Sequence, residues 1–360
     1  MKAITYVRMQ QLTNRPGAAR RDRRPMIFYF CALILGAALC LAVSRAARAE
    51  CQGHDLFVAL KSEAPTTYAA IEAAASAMPF RQGKLFRLSR AGNEPSYLFA
   101  TLHLSDQRIT SFSPRLRAAL INSKIVALET VETGAVLRWV IMNNRAEWRR
   151  AIIANENQRA DRLLGKPDFA QLETLVARRG FPKYAARKFK PSTLALLLDS
   201  PTCAIRWPGA KPDLDELVAD IARERKIQTI GLESIIEQLQ ILDGLPHETE
   251  RDLLIALLRQ SDRAEDGIET AIARYTAGDI GGLLAWMRSP KALPGVAQAQ
   301  IPSAFLDRLI TLRNRRMGER ALPLLRRGAA FIAVGAAHLP GSEGLLAFLE
   351  GEGYQVETVE

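Results

Sequence analysis

Four short, β-prone segments of this chain each end on a histidine or a glutamate, and this pattern constrains the fold more than any other feature. Two of them resemble each other, because each runs through a small residue and two more positions to a histidine and a leucine: His103 in YLFATLHLSD and His338 in FIAVGAAHLPG. The other two end on Glu129 and Glu233. Because the carboxyl ends of parallel strands meet at one edge of an open α/β sheet, we expect these four side chains to share one site.

The wider pattern predicts an α/β fold with a mixed sheet. Ser113 and Pro114 are typical of a helix start, a capping hydroxyl followed by proline at the first helical position. This helix connects strands 97–102 and 124–128, so we expect those two strands to be parallel neighbours. The predicted strands are 84–89, 97–102, 124–128, 227–232, 329–334 and 354–359.

A long helical region separates the third and fourth predicted strands. Residues 134–210 show helical patterning, so we interpret them as a large helical insertion over the sheet, within a single domain of residues 50–360. Asp213, with Glu216 three residues later, predicts a capped helix that leads into the fourth strand. Ser234 and Glu237 predict another capped helix directly after Glu233.

Residues 1–49 have the three parts of an export signal. A basic stretch is followed by an uncharged apolar stretch over 25–44 and then by Ala47-Arg48-Ala49. Small residues at this spacing predict cleavage after Ala49. The apolar stretch is also long enough to span a bilayer, so an uncleaved inner-membrane anchor is the alternative. Either way, we expect the body of the protein to be exported, to the periplasm or beyond.

The net charge of +11 belongs mostly to this leader. Residues 1–49 hold nine Lys/Arg and one acidic residue, a surplus of +8, so the remaining residues hold only +3. That remainder shows no basic stripe interleaved with aromatic residues, which nucleic-acid binding would require. We therefore expect no nucleic-acid partner, and contact with a membrane only through an uncleaved leader.

Of the four cysteines, Cys51 and Cys203 are the two outside the leader. An exported protein meets an oxidising compartment, where these two can form a disulfide. Two unpaired thiols are the alternative. The chain has no C-x-x-C pair or clustered Cys/His spacing that would indicate a structural zinc site.

The histidines and glutamates at the strand ends are donors of the kind that hold a catalytic divalent metal. Such an ion lowers the pKa of bound water to about 7, which predicts a hydrolytic site; Mn, Co and Zn all remain open. Glu233 precedes a helix amino terminus, which favours the ionised carboxylate, so it either ligates the ion or acts as general base. Asp106, three residues after His103, is either an outer partner of the site or a loop cap.

A further group of polar residues lies on the predicted helix that contains LRNRRM. We expect Phe305, Leu309 and Leu312 to form its apolar side and its arginines to face solvent. Arg313 or Asn314 can instead turn toward a carboxylate or phosphate of a substrate, with Asn314 as an outer partner of the site.

Several familiar signatures are absent from the chain. It contains no G-x-S-x-G elbow, no H-E-x-x-H pair, no P-loop and no G-x-G-x-x-G turn, so serine hydrolases, zincins and nucleotide-binding folds lack their usual support. The two remaining histidines, His54 and His247, end no strand, and we expect both to be solvated.

Together, these segments resemble the TraB/PrgY/GumN family, which includes the Tiki proteins. The resemblance rests on the first histidine segment with its following S-F-S-P helix, the strand ending at Glu129, IGLESIIEQL, the LRNRRM helix and AVGAAHLPGSEGLL. It implies that His103 and His338 are the histidines of two G-x-x-H motifs and that Glu129 is the accompanying glutamate. It also implies a fold similar to erythromycin-esterase and ChaN-like α/β proteins, with the active site at the strand ends.

Tiki members are metal-dependent proteases, so the resemblance implies an exported peptidase in which His103, Glu129 and His338 surround a divalent ion and Arg313 orients a peptide or small envelope substrate. PrgY-type members dampen peptide-pheromone signalling and GumN is named for a polysaccharide gene cluster. The alternative is therefore a non-catalytic envelope protein that binds a peptide or assists polysaccharide biosynthesis. One departure from the family pattern is Ala100, which replaces the glycine of the first motif, whereas Gly335 is intact.

Overall fold

A computed structural model of the chain describes residues 51–132, 145–199, 203, 212–289 and 300–360. These residues belong to one compact unit, Glu50–Glu360. The predicted leader, with its cleavage or anchoring, lies outside the described residues, and so does most of each end of the predicted helical insertion.

Six strands of the described residues form one mixed sheet. They are β1 (Leu85–Ser89), β2 (Ser96–Thr101), β3 (Ile125–Leu128), β4 (Gln228–Gly231), β5 (Ala330–Gly335) and β6 (Gln355–Thr358). Their order across the sheet is β4-β3-β5-β2-β1-β6. The first four strands in this order are parallel, whereas β1 is antiparallel to both β2 and β6. The α/β class and the mixed sheet are confirmed.

The late strand β5 occupies the middle of the sheet. It pairs with β2, where Thr101 lies opposite Gly335, and with β3, where Leu128 lies opposite Ala333. The prediction that β2 and β3 are neighbours is therefore wrong, because β5 separates them. All five residues 330–334 are apolar and at most 1% exposed. A strand that is apolar on both faces fits a central position, where helices cover the sheet from both sides.

Helices make up most of the remaining described chain. Before β4 they are α1 (Leu56–Glu63), α2 (Pro65–Ser76), α3 (Pro114–Ile121), α4 (Arg145–Ile152), α5 (Ala160–Leu163), α6 (Lys166–Arg178), α7 (Ala185–Lys188), α8 (Pro191–Asp199) and α9 (Leu214–Glu224). After β4 they are α10 (Ile235–Gln240), α11 (His247–Gln260), α12 (Ala264–Thr276), α13 (Ile280–Arg288), α14 (Ser303–Leu306), α15 (Leu312–Leu325) and α16 (Leu345–Gly351). A π-helical turn, Asp307–Thr311, joins α14 to α15.

The helix starts that position the site follow the predicted capping chemistry. The hydroxyl of Ser113 accepts a hydrogen bond from the backbone N–H of Leu116 at 3.0 Å, at the start of α3. Asp213 accepts from the N–H of Glu216 at 2.9 Å, at the start of α9. Ser234 and Glu237 form the reciprocal capping box that begins α10. Each cap satisfies backbone donors that would otherwise lack a partner, and so fixes where the chain turns into a helix.

Two large hydrophobic cores and two small apolar clusters stabilise the described residues. The larger one surrounds the sheet and includes Phe86, Phe331 and Leu346. The second, which includes Leu172 and Leu194, packs helices of residues 145–199 against α11 and α14. The described part of the predicted insertion is thus mostly helical. Among the described helices, none is long and apolar enough to cross a membrane.

A disulfide joins Cys51 to Cys203, as predicted, with the two Cα atoms 5.3 Å apart. Backbone hydrogen bonds also hold the segment after Cys51, because the N–H of Gln52 donates to Glu265 and that of His54 donates to Asp266. The bridge therefore links the segment before α1 to the stretch of chain that precedes Asp213.

Candidate metal centre

The strand order places the four predicted side chains in a row along one edge of the sheet. Glu233 follows β4, Glu129 follows β3, His338 follows β5 and His103 follows β2. Oε1 of Glu129 lies 3.9 Å from Nε2 of His103 and 3.7 Å from Nε2 of His338. The structure thus brings both motif histidines to the same carboxylate oxygen.

Gly335, the intact motif glycine, leaves room for that carboxylate. Its N–H donates to Oε1 of Glu129 at 2.6 Å, and a Cβ at this position would lie only 3.0 Å from the same oxygen. Ala100, at the matching motif position, is buried inside β2, and its carbonyl accepts from the hydroxyl of Tyr275 at 2.8 Å. Register places Thr101 opposite Gly335, so Ala100 lies one position further from the site. The alanine therefore occupies a strand interior and not a tight turn.

The tautomer of His338 is fixed by Asn314. The side-chain amide of Asn314 donates to the carbonyl of Glu343 at 2.8 Å, so its oxygen is left to face Nδ1 of His338 at 2.6 Å. An amide oxygen only accepts, and Nδ1 must therefore carry the proton. Burial lowers the pKa of His338 to about 4, so the ring is neutral at pH 7. Its lone pair is consequently on Nε2, which faces Glu129.

His103 has a different environment, because its imidazole is 59% exposed and lies beside a carboxylate. Nδ1 is 2.9 Å from Oδ2 of Asp215, and the charge of Asp215 raises the pKa of His103 to about 10. Thr101 holds the other oxygen of Asp215 by a hydrogen bond of 3.0 Å. The two motif histidines thus present Nε2 to one glutamate while different groups hold their Nδ1 atoms.

Arg313 lies between the two predicted glutamates. It is buried, with Nη2 at 2.5 Å from Oε2 of Glu129 and Nε at 2.7 Å from Oε2 of Glu233. Burial opposes the ionisation of Glu129, but the charges of Arg313 and His103 and the N–H of Gly335 outweigh it and hold the pKa of Glu129 well below its usual range. In this arrangement Arg313 holds Glu129 in place, and its orientation of a substrate stays a prediction.

Of the apolar side predicted for the LRNRRM helix, Phe305 and Leu309 pack against a hydrophobic core as expected, whereas the prediction is wrong at Leu312. Leu312 is 54% exposed, whereas Arg313 and Asn314 are buried. The π-helical turn just before α15 adds one residue, and each residue rotates a helix by about 100°. The extra residue turns the polar pair, and not Leu312, toward the sheet edge.

Glu233 lies beside Glu129 but outside the cluster around Oε1 of Glu129, and Asp106 adopts one of its two predicted roles. The side chain of Glu233 is 0% exposed and binds Arg313 and Arg316, and its role as ligand or general base stays a prediction. Asp106 accepts from the backbone N–H of Arg108 at 2.8 Å and pairs with its guanidinium. Asp106 is therefore a loop cap.

Two aspartates near the start of α9 join the site although the sequence did not single them out as ligands. Within the described ranges, His103, Asp213 and Asp215 are the set whose ligand atoms all lie within 4.8 Å of one another. The predicted set of His103, Glu129 and His338 is less compact, and its two histidines meet only at Oε1 of Glu129. The sequence signal for these two aspartates was D-L-D-E at 213–216. Asp213 was interpreted only as a helix cap, and Asp215 was therefore not considered.

The donors at this edge fit a divalent cation. A neutral imidazole lone pair, fixed on Nε2 of His338, faces a carboxylate oxygen at 3.7 Å, an arrangement that a cation between the two atoms would stabilise. With zinc bound to nitrogen at about 2.0–2.1 Å, one ion can contact both histidines only if the rings approach each other. His103 belongs to both possible ligand sets, and it is the more exposed ring.

Fold and site together define an α/β protein with a histidine and carboxylate centre at the strand ends. The TraB/PrgY/gumN family model matches residues 85–358, and the chain belongs to this family. It is 26% identical to Metalloprotease TIKI2 of Danio rerio over 301 residues, covering 73% of this chain and 58% of the relative. It is also 26% identical to Metalloprotease TIKI1 of Homo sapiens over 303 residues, 73% of this chain and 59% of the relative. The match thus spans somewhat over half the length of these curated relatives, and no solved structure matches the chain.

Proposed function

We propose that this protein is an exported, metal-dependent peptidase. The observation that carries the proposal is the approach of two imidazole Nε2 atoms to one carboxylate oxygen, at 3.9 and 3.7 Å, in a chain similar to proteins named metalloproteases. His103, Glu129 and His338 would hold the ion. A divalent ion at such a site polarises a carbonyl and makes hydroxide available near neutral pH.

The surrounding residues prepare these ligands. Asn314 keeps the proton of His338 on Nδ1, so that Nε2 is free to donate its lone pair. Arg313 and the N–H of Gly335 bind the two oxygens of Glu129 and keep this carboxylate ionised and fixed. Glu233 balances the buried charge of Arg313, which would otherwise compete with a cation for Glu129. The exposed edge of His103 is the side from which a substrate would approach.

Export is part of the proposal. The disulfide between Cys51 and Cys203 requires an oxidising compartment to form and persist. Residues 1–49 carry the pattern of a signal that is cleaved after Ala49 or retained as an inner-membrane anchor. Both observations support a periplasmic or secreted catalytic unit.

Elemental analysis of the purified protein, together with a peptide-library cleavage assay, tests the proposal. We expect one divalent ion per chain, cleavage that a chelator abolishes, and recovery with Mn, Co or Zn. His103→Ala, His338→Ala and Glu129→Gln should each lose both the ion and the cleavage. His247→Ala is the matched control, because this histidine is 57% exposed and outside the site.

A different result would favour the alternative function. If the protein binds peptides or envelope polysaccharides but contains no ion, and if neither the wild type nor the variants cleave a peptide, the proposal fails. The protein would then be a non-catalytic envelope protein on the same fold.

A further inference from the structure

Asp215 is partly buried and contacts two residues at the carboxyl end of β2, Thr101 and His103. Its Oδ1 accepts a hydrogen bond from the hydroxyl of Thr101 at 3.0 Å, the last residue of β2. Its Oδ2 lies 2.9 Å from Nδ1 of His103 and, within the described part of the chain, has no hydrogen bond of good geometry. Thr101 therefore fixes the rotation of the carboxylate, and one oxygen is left for His103.

The two histidines have the same arrangement around their rings. In His338, Nδ1 faces an acceptor on Asn314 at 2.6 Å and Nε2 faces Glu129 at 3.7 Å. In His103, Nδ1 faces an acceptor on Asp215 at 2.9 Å and Nε2 faces Glu129 at 3.9 Å. Histidines that bind metals commonly donate their second ring N–H to such an outer acceptor, which fixes both tautomer and orientation.

We propose that Asp215 is a positioning residue, which holds a ring proton of His103 on Nδ1 and so directs Nε2 toward an ion beside Glu129. This inference rests on the proposed function, and it assigns Asp215 to the outer shell and not to the ligands. The exposed ring of His103 rotates more freely than the buried ring of His338. A carboxylate at Nδ1 of His103 therefore has a structural purpose, because it fixes the orientation of this ring.

The competing arrangement makes Asp215 a ligand. His103, Asp213 and Asp215 form the compact set, and an ion among them would bind Nδ1 of His103. The ring proton would then be on Nε2, facing Glu129. Both aspartates, however, already have partners, since Asp213 caps α9 through Glu216 and Asp215 binds Thr101. The two arrangements therefore place the ring proton on opposite nitrogens, and this difference is measurable.

The test is ¹⁵N NMR of the zinc-loaded full chain labelled in its histidines, of which there are four. Alanine variants assign the signals of His103 and His338. We expect both rings to carry the proton on Nδ1 and to bind zinc through Nε2. A His103 ring that binds zinc through Nδ1 would overturn the inference, and His338 serves as the internal reference.

Zinc affinity of two variants supplies a second readout. Asp215→Asn keeps the size of the side chain, but while Thr101 holds its oxygen, the amide N–H₂ faces Nδ1 of His103 and forces the ring proton onto Nε2. We expect zinc affinity to fall by about 10- to 100-fold. Asp213→Asn preserves helix capping and should stay within a few-fold of wild type. Equal, complete losses in both variants would identify the compact set as the ligands and refute the positioning role.

Failure of the proposed function is distinguishable from failure of this inference. If the wild-type chain takes up none of zinc, manganese and cobalt, the proposed function fails, and the positioning role is tested in the metal-free protein. The Nδ1 proton of His103 should then be protected from exchange with water in the wild type and in Asp213→Asn, and exchange rapidly in Asp215→Asn. Identical exchange in all three proteins would show that Asp215 does not hold the ring.

Discussion

Replacing Arg313 by methionine should destabilise the protein strongly, because it leaves two buried carboxylates without their cation. The guanidinium binds Glu129 at 2.5 Å and Glu233 at 2.7 Å, and all three side chains are at most 7% exposed. Charge-assisted hydrogen bonds contribute about 1.5–3 kcal/mol each, and breaking a buried ion pair costs about 3–5 kcal/mol. We therefore expect the free energy of unfolding to fall by about 3–5 kcal/mol.

Urea unfolding of the oxidised protein, followed by circular dichroism, measures this loss. With a denaturant slope of about 3 kcal/mol/M, the midpoint should decrease by about 1 M or more. Arg315→Met is the matched control on the same helix, because this arginine is 82% exposed and should change stability by no more than about 0.5 kcal/mol. Arg313→Met combined with Glu233→Gln should recover part of the loss, since one uncompensated charge disappears. An unchanged midpoint in Arg313→Met would refute the interpretation of these buried charges.

Three further predictions follow from single contacts. Gly335→Ala should fold but lose at least about tenfold in metal affinity, since its Cβ would lie 3.0 Å from an oxygen of Glu129, and a metal titration measures this loss. Ala100→Gly, which restores the family motif, should lower the free energy of unfolding by about 0.5–1 kcal/mol and leave cleavage unchanged, and thermal unfolding measures the change in stability. Burial opposes ionisation of Asp279, but Arg81 donates to it at 2.8 Å and holds its pKa low. The ionised carboxylate therefore stabilises the fold at any pH above its unfolded pKa of about 3.9, and this stabilisation is lost as the pH falls through the lower folded pKa. Asp279→Asn should therefore lower stability by about 2 kcal/mol at pH 7 and flatten the acid limb of the stability curve; a limb as steep as that of the wild type would contradict this. Cys51→Ser should lower the free energy of unfolding by up to about 5 kcal/mol, because the disulfide joins residues 152 positions apart, and a variant as stable as the oxidised wild type would contradict the estimate.

The convergence of the strand ends was accessible from the sequence, whereas the pairing order was not. His103, Glu129 and His338 each follow a short apolar run, and parallel strands share one edge whatever their order. The position of β5 between β2 and β3 depends on pairing between segments far apart in the chain. No local rule reports such pairing, and the rule that consecutive strands are neighbours is only a tendency.

The outer residues of the site were harder to predict because local features concealed them. The π-helical turn before α15 changes which residues of this helix face the sheet edge, and a regular helical pattern does not predict that Arg313 and Asn314 both face it. Asp215 lies two residues after a good capping aspartate, which explained the local sequence without any need for a site. Asp106 shows the opposite case, since its capping role was one of the two interpretations that the sequence allowed.

The balance of buried charge gives an independent reason to expect a cation at this edge. Glu129 and Glu233 are each at most 5% exposed, and among the described residues Arg313 is the buried cation that contacts both. The further positive groups, Arg316 and His103, are 34% and 59% exposed and can be solvated by water. Buried carboxylates are costly unless cations offset the cost, and here two carboxylates share one buried guanidinium. The exposed cation that contacts Glu129 is His103, a group that can lose its proton. A divalent ion can therefore replace that proton beside Glu129 without disturbing the buried pair of Arg313 and Glu233.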